Sequence, residues 1–330
     1  MKKVGLIMRK IQLQQQQGPL VYANMLKEIS NELGVLIEFI TPERFVSDYH
    51  ELEGYEYEKG DLLNYDIVLD KLMSKNITHV IYSVIGFSFL RMFFPNSTFF
   101  SHSFPDESLE GSSMMTPFMQ MVSKAIVQTE YLKDKICNFG TSDVHVIPIG
   151  FDEHLSQKHY DESQIVNNRV LWIGRDESFR QPEVVIDFAQ KNPDVDVHMV
   201  FGGERYQESI KRFDIPSNLT LHFALSRPEI FQLMNTCKVY WCSSTYDTFG
   251  IPIAEALSMG KFVIKPEHPC YNHFNSQHIY AGNKENWGDL VNMALHFEHN
   301  VSNENRRYAY DHFSRTKMKK GYLEFFDKWL

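Results

Sequence analysis

The chain of 330 residues is long enough for two domains of roughly 150 residues, each with its own core. Its net charge of −9 and isoelectric point near 5.9 argue against a nucleic-acid-binding protein, because that binding depends on positive charge. The longest mostly apolar run, 80–90, is shorter than the ~20 residues that a membrane-spanning helix needs. The four cysteines form no CxxC pair, and we interpret them as free thiols in a reducing cytoplasm.

Short apolar runs alternate with amphipathic helical patterns along the whole chain. This alternation is typical of parallel sheets with crossover helices, so we expect an α/β protein. In the first half, the apolar runs predict strands over residues 3–8, 36–40, 79–83, 97–101, 124–128 and 144–148. A helix is predicted over 19–33, where apolar side chains recur on one face and Gly34 follows as a stop signal.

The second half repeats this pattern after a polar stretch, 150–168, which has almost no apolar periodicity and is the candidate linker. Strands are predicted over 169–173, 195–201, 219–223, 239–242 and 261–264. Helices are predicted near 182–192, 205–213, 228–235 and 252–259. Two Rossmann-like domains are therefore expected, and ligands of such sheets bind beyond the carboxyl ends of the strands.

The most informative segment is 243–260, which contains two carboxylates eight positions apart. Asp247 and Glu255 flank a turn with Gly250 that opens a short helix. The first N–H groups of a helix are unpaired and its dipole is positive there, so this turn can bind an anion. Carboxylates on either side of a bound phosphate can accept hydrogen bonds from sugar hydroxyls. The segment therefore indicates a nucleotide-sugar site.

Five elements, in the right order, resemble motifs of the GT-B glycosyltransferases, and specifically of the retaining family 4 group. They are Gly18 after the first strand, 124–132, the domain-border turn 146–152, Gly174-Arg175 with Arg180, and Asp247 to Glu255. The last element resembles the family's paired-glutamate motif, with Asp at its first position. The segment 254–269 is also similar to digalactosyldiacylglycerol synthases, in which an Asp likewise replaces the first Glu.

The resemblance implies a GT-B fold, in which two Rossmann-like domains face each other across a cleft. Residues 1–152 would bind the acceptor and 153–310 the nucleotide sugar, and a final helix, 311–330, would pack back on the first domain. That helix joins a basic segment, 315–320, to aromatic residues within 322–329. Such a helix can also rest on an anionic membrane surface, so a peripheral membrane contact is the alternative to a crossing helix.

The resemblance also implies roles for individual residues. Glu255 would bind the ribose hydroxyls of the donor, and Asp247 would bind hydroxyls of the transferred sugar. Arg175 and Arg180 would bind the diphosphate, since each offers a fixed guanidinium. His102 would lie under the donor sugar, although a histidine at a strand end can equally be an ordinary satisfied polar residue. The other donor-side candidates are Gly18 and the turn residues Thr248, Phe249, Gly250 and Ile251.

The three charged candidates with the strongest pattern each have a structural alternative. Glu255 could lie on a solvent-facing surface of its helix. Asp247 could cap the helix that follows, a position that Asp often occupies. Arg180 could form a surface ion pair with Asp176 or Glu177.

The sequence thus predicts a retaining glycosyltransferase that moves a sugar from a nucleoside diphosphate sugar, with UDP expected, to a hydroxyl of a glycolipid or cell-envelope glycan. No cofactor and no metal ion are expected, because the arginines would stabilise the departing diphosphate. The expected partners are the donor and a glycan or lipid-linked acceptor, and no nucleic acid. The expected location is the cytoplasm, with at most a peripheral contact at the inner face of the cell membrane. Two other functions stay open: a non-catalytic GT-B subunit that supports a partner glycosyltransferase, and a nucleotide-sugar epimerase.

Three motifs with metal- or cofactor-binding chemistry are interpreted as structural. The segment 194–196 has the D-x-D form, but it lies in a polar turn before a predicted strand. His268, Cys270 and His273 lack a fourth zinc ligand. The pair 202–203 ends a strand without the G-x-G-x-x-G spacing of nicotinamide sites.

Overall fold

The computed structural model describes residues 2–7, 26, 32, 34–40, 65–83, 85–100, 116–202, 206–299 and 302–329. The chain forms two compact units, each built around its own parallel sheet. The first unit comprises Met1–Pro148 and Met318–Leu330, and the second comprises Ile149–Lys317. The structure thus divides the chain after Pro148, whereas the sequence predicted a boundary after residue 152.

The described strands of the first unit are β1 Lys2–Ile7, β2 Val35–Ile40, β3 His79–Tyr82, β4 Ser97–Phe100, β5 Lys124–Val127 and β6 Asp143–Val146. They pair in parallel in the order β2-β1-β3-β4-β5-β6. The described helices are α1 Tyr65–Ser74, α2 Thr116–Gln120 and α3 Glu130–Cys137, with a 3-10 helix over Ile85–Met92. Every residue of β3 and β4 is buried, as is typical of central strands in a parallel sheet.

The described strands of the second unit are β7 Val166–Gly174, β8 Asp196–Phe201, β9 Leu219–Phe223, β10 Cys237–Trp241, β11 Phe262–Pro266 and β12 Ile279–Gly282. They pair in parallel in the order β12-β11-β10-β7-β8-β9, so all their carboxyl ends lie at one edge of the sheet. The helices are α4 Glu153–His159, α5 Pro182–Lys191, α6 Tyr206–Ile210, α7 Arg227–Thr236, α8 Ile251–Ser258, α9 Trp287–Leu295 and α10 Asn303–Phe313. Short 3-10 helices cover Glu162–Gln164, Ser178–Arg180 and Pro269–Tyr271.

The final helix, α11 Arg315–Trp329, begins in the second unit and ends in the first. Its aromatic side chains pack within the first unit. The Trp329 ring meets the His79 ring edge-on at a centroid distance of 4.8 Å, and Phe325 meets His145 at 5.0 Å. Because these rings are buried, they stabilise the first unit and are not available to a membrane surface.

Two predicted features differ in the structure. The polar stretch 150–168 is not a linker, because Asp152 accepts a hydrogen bond from Leu155 N at 3.0 Å and starts α4. The sequence did not predict β12, a four-residue strand at the end of the sheet order that is mostly only partly buried. The helix predicted over 19–33 lies outside the described residues except at Leu26 and Glu32.

Candidate functional site

The segments that follow β7 and β10 are tied together at the carboxyl edge of the second sheet. Gly174 ends β7, and a Cβ atom there would lie 2.5 Å from the Trp172 ring, so glycine is required. The Trp172 indole Nε1–H donates to Ser243 Oγ at 2.9 Å. Ser243 Oγ in turn donates to the carbonyl oxygen of Arg180 at 2.7 Å. These bonds fix the position of Arg180 relative to the turn that follows β10.

Arg180 and Asp247 form an ion pair at this edge. Arg180 Nη1 lies 2.7 Å from Asp247 Oδ2 and donates a second hydrogen bond to Ser244 Oγ at 3.2 Å. Both side chains keep some access to solvent, 19% for Arg180 and 17% for Asp247. Burial by itself would lower the pKa of Arg180, but the charge of Asp247 and its hydrogen bond raise it, and the pKa lies above its ordinary value. The guanidinium therefore stays charged at any physiological pH.

The turn after Asp247 is held rigidly and ends at a helix N-terminus. Asp247 Oδ1 accepts a long hydrogen bond from Phe249 N at 3.4 Å. The His273 ring stacks on the Phe249 ring, and its Nε2–H donates to Phe249 O at 2.9 Å. Gly250, at φ 88°, occupies the N-cap position of α8, and no side chain caps the first turn. Asp247 is therefore not the helix cap, and this alternative is wrong.

Glu255 lies one turn into α8, and its carboxylate is bound by an arginine. The side chain is only 1% exposed, so the alternative of a solvent-facing glutamate is wrong. Arg227 Nη1 donates to Glu255 Oε2 at 3.2 Å, and Arg227 Nη2 donates to Glu255 Oε1. Burial would lower the pKa of Arg227, but the negative charges of Glu255 and Asp152 raise it. Arg227 therefore stays charged and is paired with the Glu255 carboxylate.

Arg175, and not Arg180, forms the surface ion pair with Glu177. Its side chain is 46% exposed, and Nη2 lies 3.1 Å from Glu177 Oε2. Asp176 pairs instead with Arg212 at 2.6 Å. The surface pairing considered for Arg180 is therefore wrong, and Arg175 is a solvent-accessible cation close to the end of β7.

Among the other candidates, Thr248 and Ile251 are half-buried at the two ends of the turn. Gly18 and His102 lie outside the described residues. In the part of the chain that the structure describes, no group of three or more His, Cys, Asp or Glu side chains could hold a metal ion. Asp196, from the D-x-D segment, is bound by Arg169 at 2.7 Å instead. None of the described helices combines the length and apolar character needed to cross a membrane.

Sequence reasoning did not identify three residues that complete the site. Ser244 follows β10 directly, and its place after a strand end is a signal that could have been used. His273 was considered only as a metal ligand, although it supports the turn at Phe249. Arg227 gave no signal, because it begins a different helix from the one that carries Glu255.

The region that contains this site matches the sequence profile of a known protein family. Residues 159–311, most of the second unit, match the sequence profile of the family described as Glycosyl transferases group 1. The matched region contains the whole described site: the two ion pairs, the turn and the start of α8. The comparison with curated protein sequences gave no match.

Several solved structures are similar to the chain over almost its whole length. Sucrose-phosphate synthase from Thermosynechococcus elongatus is 12% identical, with 99% of each chain covered and a TM-score of 0.79. HepE from Anabaena, solved with UDP and glucose, is 15% identical, with 99% of this chain and 100% of HepE covered and a TM-score of 0.71. A TarM mutant from S. aureus, solved with fondaparinux, alpha-GlcNAc-glycerol and UDP, is 12% identical with the same coverage and a TM-score of 0.70. The chain therefore has the GT-B fold, and residues 159–311 of its second unit match the group 1 glycosyltransferase profile.

Proposed function

We propose that the chain is a retaining glycosyltransferase that transfers a sugar from a UDP-sugar to an acceptor hydroxyl. The observation that carries this proposal is the Arg180–Asp247 ion pair beside the uncapped first turn of α8, within the group 1 region. A fixed guanidinium and a helix N-terminus together suit a diphosphate, and a carboxylate suits sugar hydroxyls. UDP in the HepE and TarM complexes supports uridine as the nucleoside.

Each described residue then has a role in binding the donor. Asp247 accepts hydrogen bonds from hydroxyls of the transferred sugar, and the backbone of Thr248, Phe249, Gly250 and Ile251 holds the sugar and the phosphates. Arg180 and the more exposed Arg175 bind the diphosphate. Glu255 binds the ribose hydroxyls. Two further assignments concern residues outside the described part of the chain: His102 under the donor sugar and Gly18 on the donor side.

Retention follows if the departing phosphate oxygen itself takes the acceptor proton on the same face of the sugar. The bond from the anomeric carbon to the diphosphate breaks, the bond from the acceptor oxygen to that carbon forms, and the acceptor proton moves to the diphosphate. Arg175 and Arg180 stabilise the negative charge that develops on the leaving group, which lowers the barrier. This mechanism needs neither a side-chain base nor a metal ion, so full transfer in EDTA is expected.

We further propose a glycan or lipid-linked acceptor that the first unit binds, and a cytoplasmic enzyme with at most a peripheral contact with the inner face of the membrane. The ligands in the TarM complex support a glycan acceptor. The exposed side chains of the final helix include Lys317 and Lys320, which suit anionic headgroups, whereas its aromatic rings are buried.

The proposal is tested by nucleotide binding followed by turnover. In a thermal-shift panel of UDP, GDP, ADP and their sugars, UDP and a UDP-sugar should raise the melting temperature most. Labelled UDP-sugar should then be consumed only when an acceptor is added, and the product should keep the anomeric configuration. Conversion of the donor without an acceptor would identify an epimerase. A folded protein that binds none of these nucleotides would exclude a donor site and favour the non-catalytic subunit.

A further inference from the structure

The Arg227–Glu255 ion pair covers the carboxylate that the ribose of the donor is expected to bind. The Glu255 side chain is 1% exposed, and both of its oxygens accept hydrogen bonds from the two terminal nitrogens of Arg227. This is the forked arrangement that guanidinium and carboxylate groups prefer. A ligand that binds Glu255 therefore has to displace the guanidinium first.

Displacement is possible only for a ligand that replaces what Arg227 supplies. A buried carboxylate that loses its hydrogen bonds is strongly destabilised, so both oxygens need new donors at once. The 2′- and 3′-hydroxyls of a ribose are two adjacent donors, and they match the two N–H groups that leave. A 2′,3′-dideoxyribose has neither donor and cannot open the pair.

The surroundings of Arg227 allow this exchange within the second unit. The guanidinium carbon lies 5.3 Å from the centre of the Phe231 ring, so the side chain has an aromatic face to rest on. Asp152 lies near enough for its negative charge to act on Arg227, and it offers the displaced cation a second carboxylate. The guanidinium itself keeps 16% exposure, so it has a route towards solvent while Glu255 has none.

We propose that Arg227 is a gating residue: it covers the Glu255 carboxylate, and a nucleotide reaches that carboxylate only when its two ribose hydroxyls take the place of the guanidinium. This inference rests on the proposed function, because it takes the ligand of Glu255 to be the ribose of the donor. Arg227 thus makes the binding of a ribonucleotide weaker than the contacts with Glu255 alone would give.

The experiment compares two ligands on three proteins. The dissociation constants of UDP and 2′,3′-dideoxy-UDP are measured by calorimetry for the wild type, Arg227→Met and Arg169→Met. Methionine keeps the apolar stem but has no N–H to donate. Arg169 is a matched control, because it is a part-buried arginine paired with a carboxylate, Asp196, at the opposite ends of the strands. Circular dichroism shows whether each variant is folded.

In Arg227→Met, UDP should bind about tenfold more tightly or better, the scale of hydrogen bonds to a charged group that no longer have to be broken. The affinity for dideoxy-UDP should stay within about twofold in both variants, and Arg169→Met should leave both ligands unchanged. Unchanged or weaker UDP binding in folded Arg227→Met would overturn the proposal, and so would equal tightening of both ligands. A folded wild type that binds neither ligand would instead remove the proposed function.

A second measurement needs no loss of the side chain. In wild-type protein labelled with ¹⁵N-arginine, the guanidinium signals of Arg227, assigned by their absence in Arg227→Lys, should shift and lose exchange protection when UDP is added. Dideoxy-UDP should leave them unchanged, and the Arg169 signals should not move with either ligand. Arg227 signals that stay protected in the presence of saturating UDP would overturn the proposal.

Discussion

Two arginine–carboxylate pairs stand at the carboxyl edge of the second sheet, and they differ in access to solvent. Asp247 pairs with one nitrogen of Arg180, and both side chains stay 17–19% exposed. Glu255 is bound by two nitrogens of Arg227, and its carboxylate is 1% exposed. The two ion pairs therefore differ in how a ligand can reach their carboxylates. The first pair can meet a ligand as it stands, whereas the second has to be opened by the ligand.

The largest effect should come from the Arg180–Asp247 pair, the one that is open to solvent. Asp247→Ala removes the carboxylate proposed to bind the transferred sugar, so kcat should fall by about a hundredfold or more. UDP affinity should change little, since the nucleotide alone does not contact this side chain. The measurement is steady-state transfer together with UDP calorimetry. Asp196→Ala, which removes another arginine-paired carboxylate, is the control and should retain kcat. An equal loss of kcat in both variants would mean that the effect is structural.

The Arg227–Glu255 pair, the one that is closed to solvent, should show its effect in the affinity for UDP. When Glu255→Ala is added to Arg227→Met, the tighter UDP binding of the single variant should be lost, a change of about tenfold. The double variant avoids a buried arginine without a partner, so it isolates the contact between Glu255 and the ribose. Calorimetry with UDP and 2′,3′-dideoxy-UDP measures it. Tight UDP binding that persists in the folded double variant would show that the ribose does not use Glu255.

The turn beside the Arg180–Asp247 pair should show its effect in stability, as a pH dependence of the free energy of unfolding. Burial lowers the pKa of His273 from 6.5 to about 4, so the folded protein keeps this ring neutral. In the unfolded chain the ring binds a proton below 6.5, so the free energy of unfolding should fall as the pH drops from 6.5 to 4. The shift corresponds to about 3 kcal/mol.

Urea unfolding of the wild type and His273→Phe between pH 4 and 7 measures this contribution. The variant should be less stable at pH 7, where it lacks the hydrogen bond to Phe249 O, and should lose less stability in acid. Parallel pH curves for the two proteins would show that His273 is not the responsible group. The affinity for UDP, which depends on the Arg227–Glu255 pair, should be less sensitive to His273→Phe than the rate of sugar transfer is.

The sequence predicted most strands of the two sheets because they contain short runs of buried apolar residues, as at β3. It did not predict β12, a four-residue strand at the end of the sheet order that is mostly only partly buried. Asp247 and Glu255 were found because they share one local segment with Gly250. Arg180 was found as well, but its pairing with Asp247 was not, and Arg227 was missed altogether. Both arginines meet their carboxylates only through the fold, and a contact between residues far apart in the chain leaves no periodic pattern in the sequence.

The account is tested most directly by a crystal structure of the protein with UDP alone. It predicts the ribose 2′- and 3′-oxygens within hydrogen-bond distance of the Glu255 carboxylate, with the Arg227 guanidinium displaced from it. The ion pair between Arg180 and Asp247 should remain intact in that structure, because no sugar is present to bind Asp247. A structure in which UDP occupies the carboxyl edge while Arg227 still holds both oxygens of Glu255 would contradict the account.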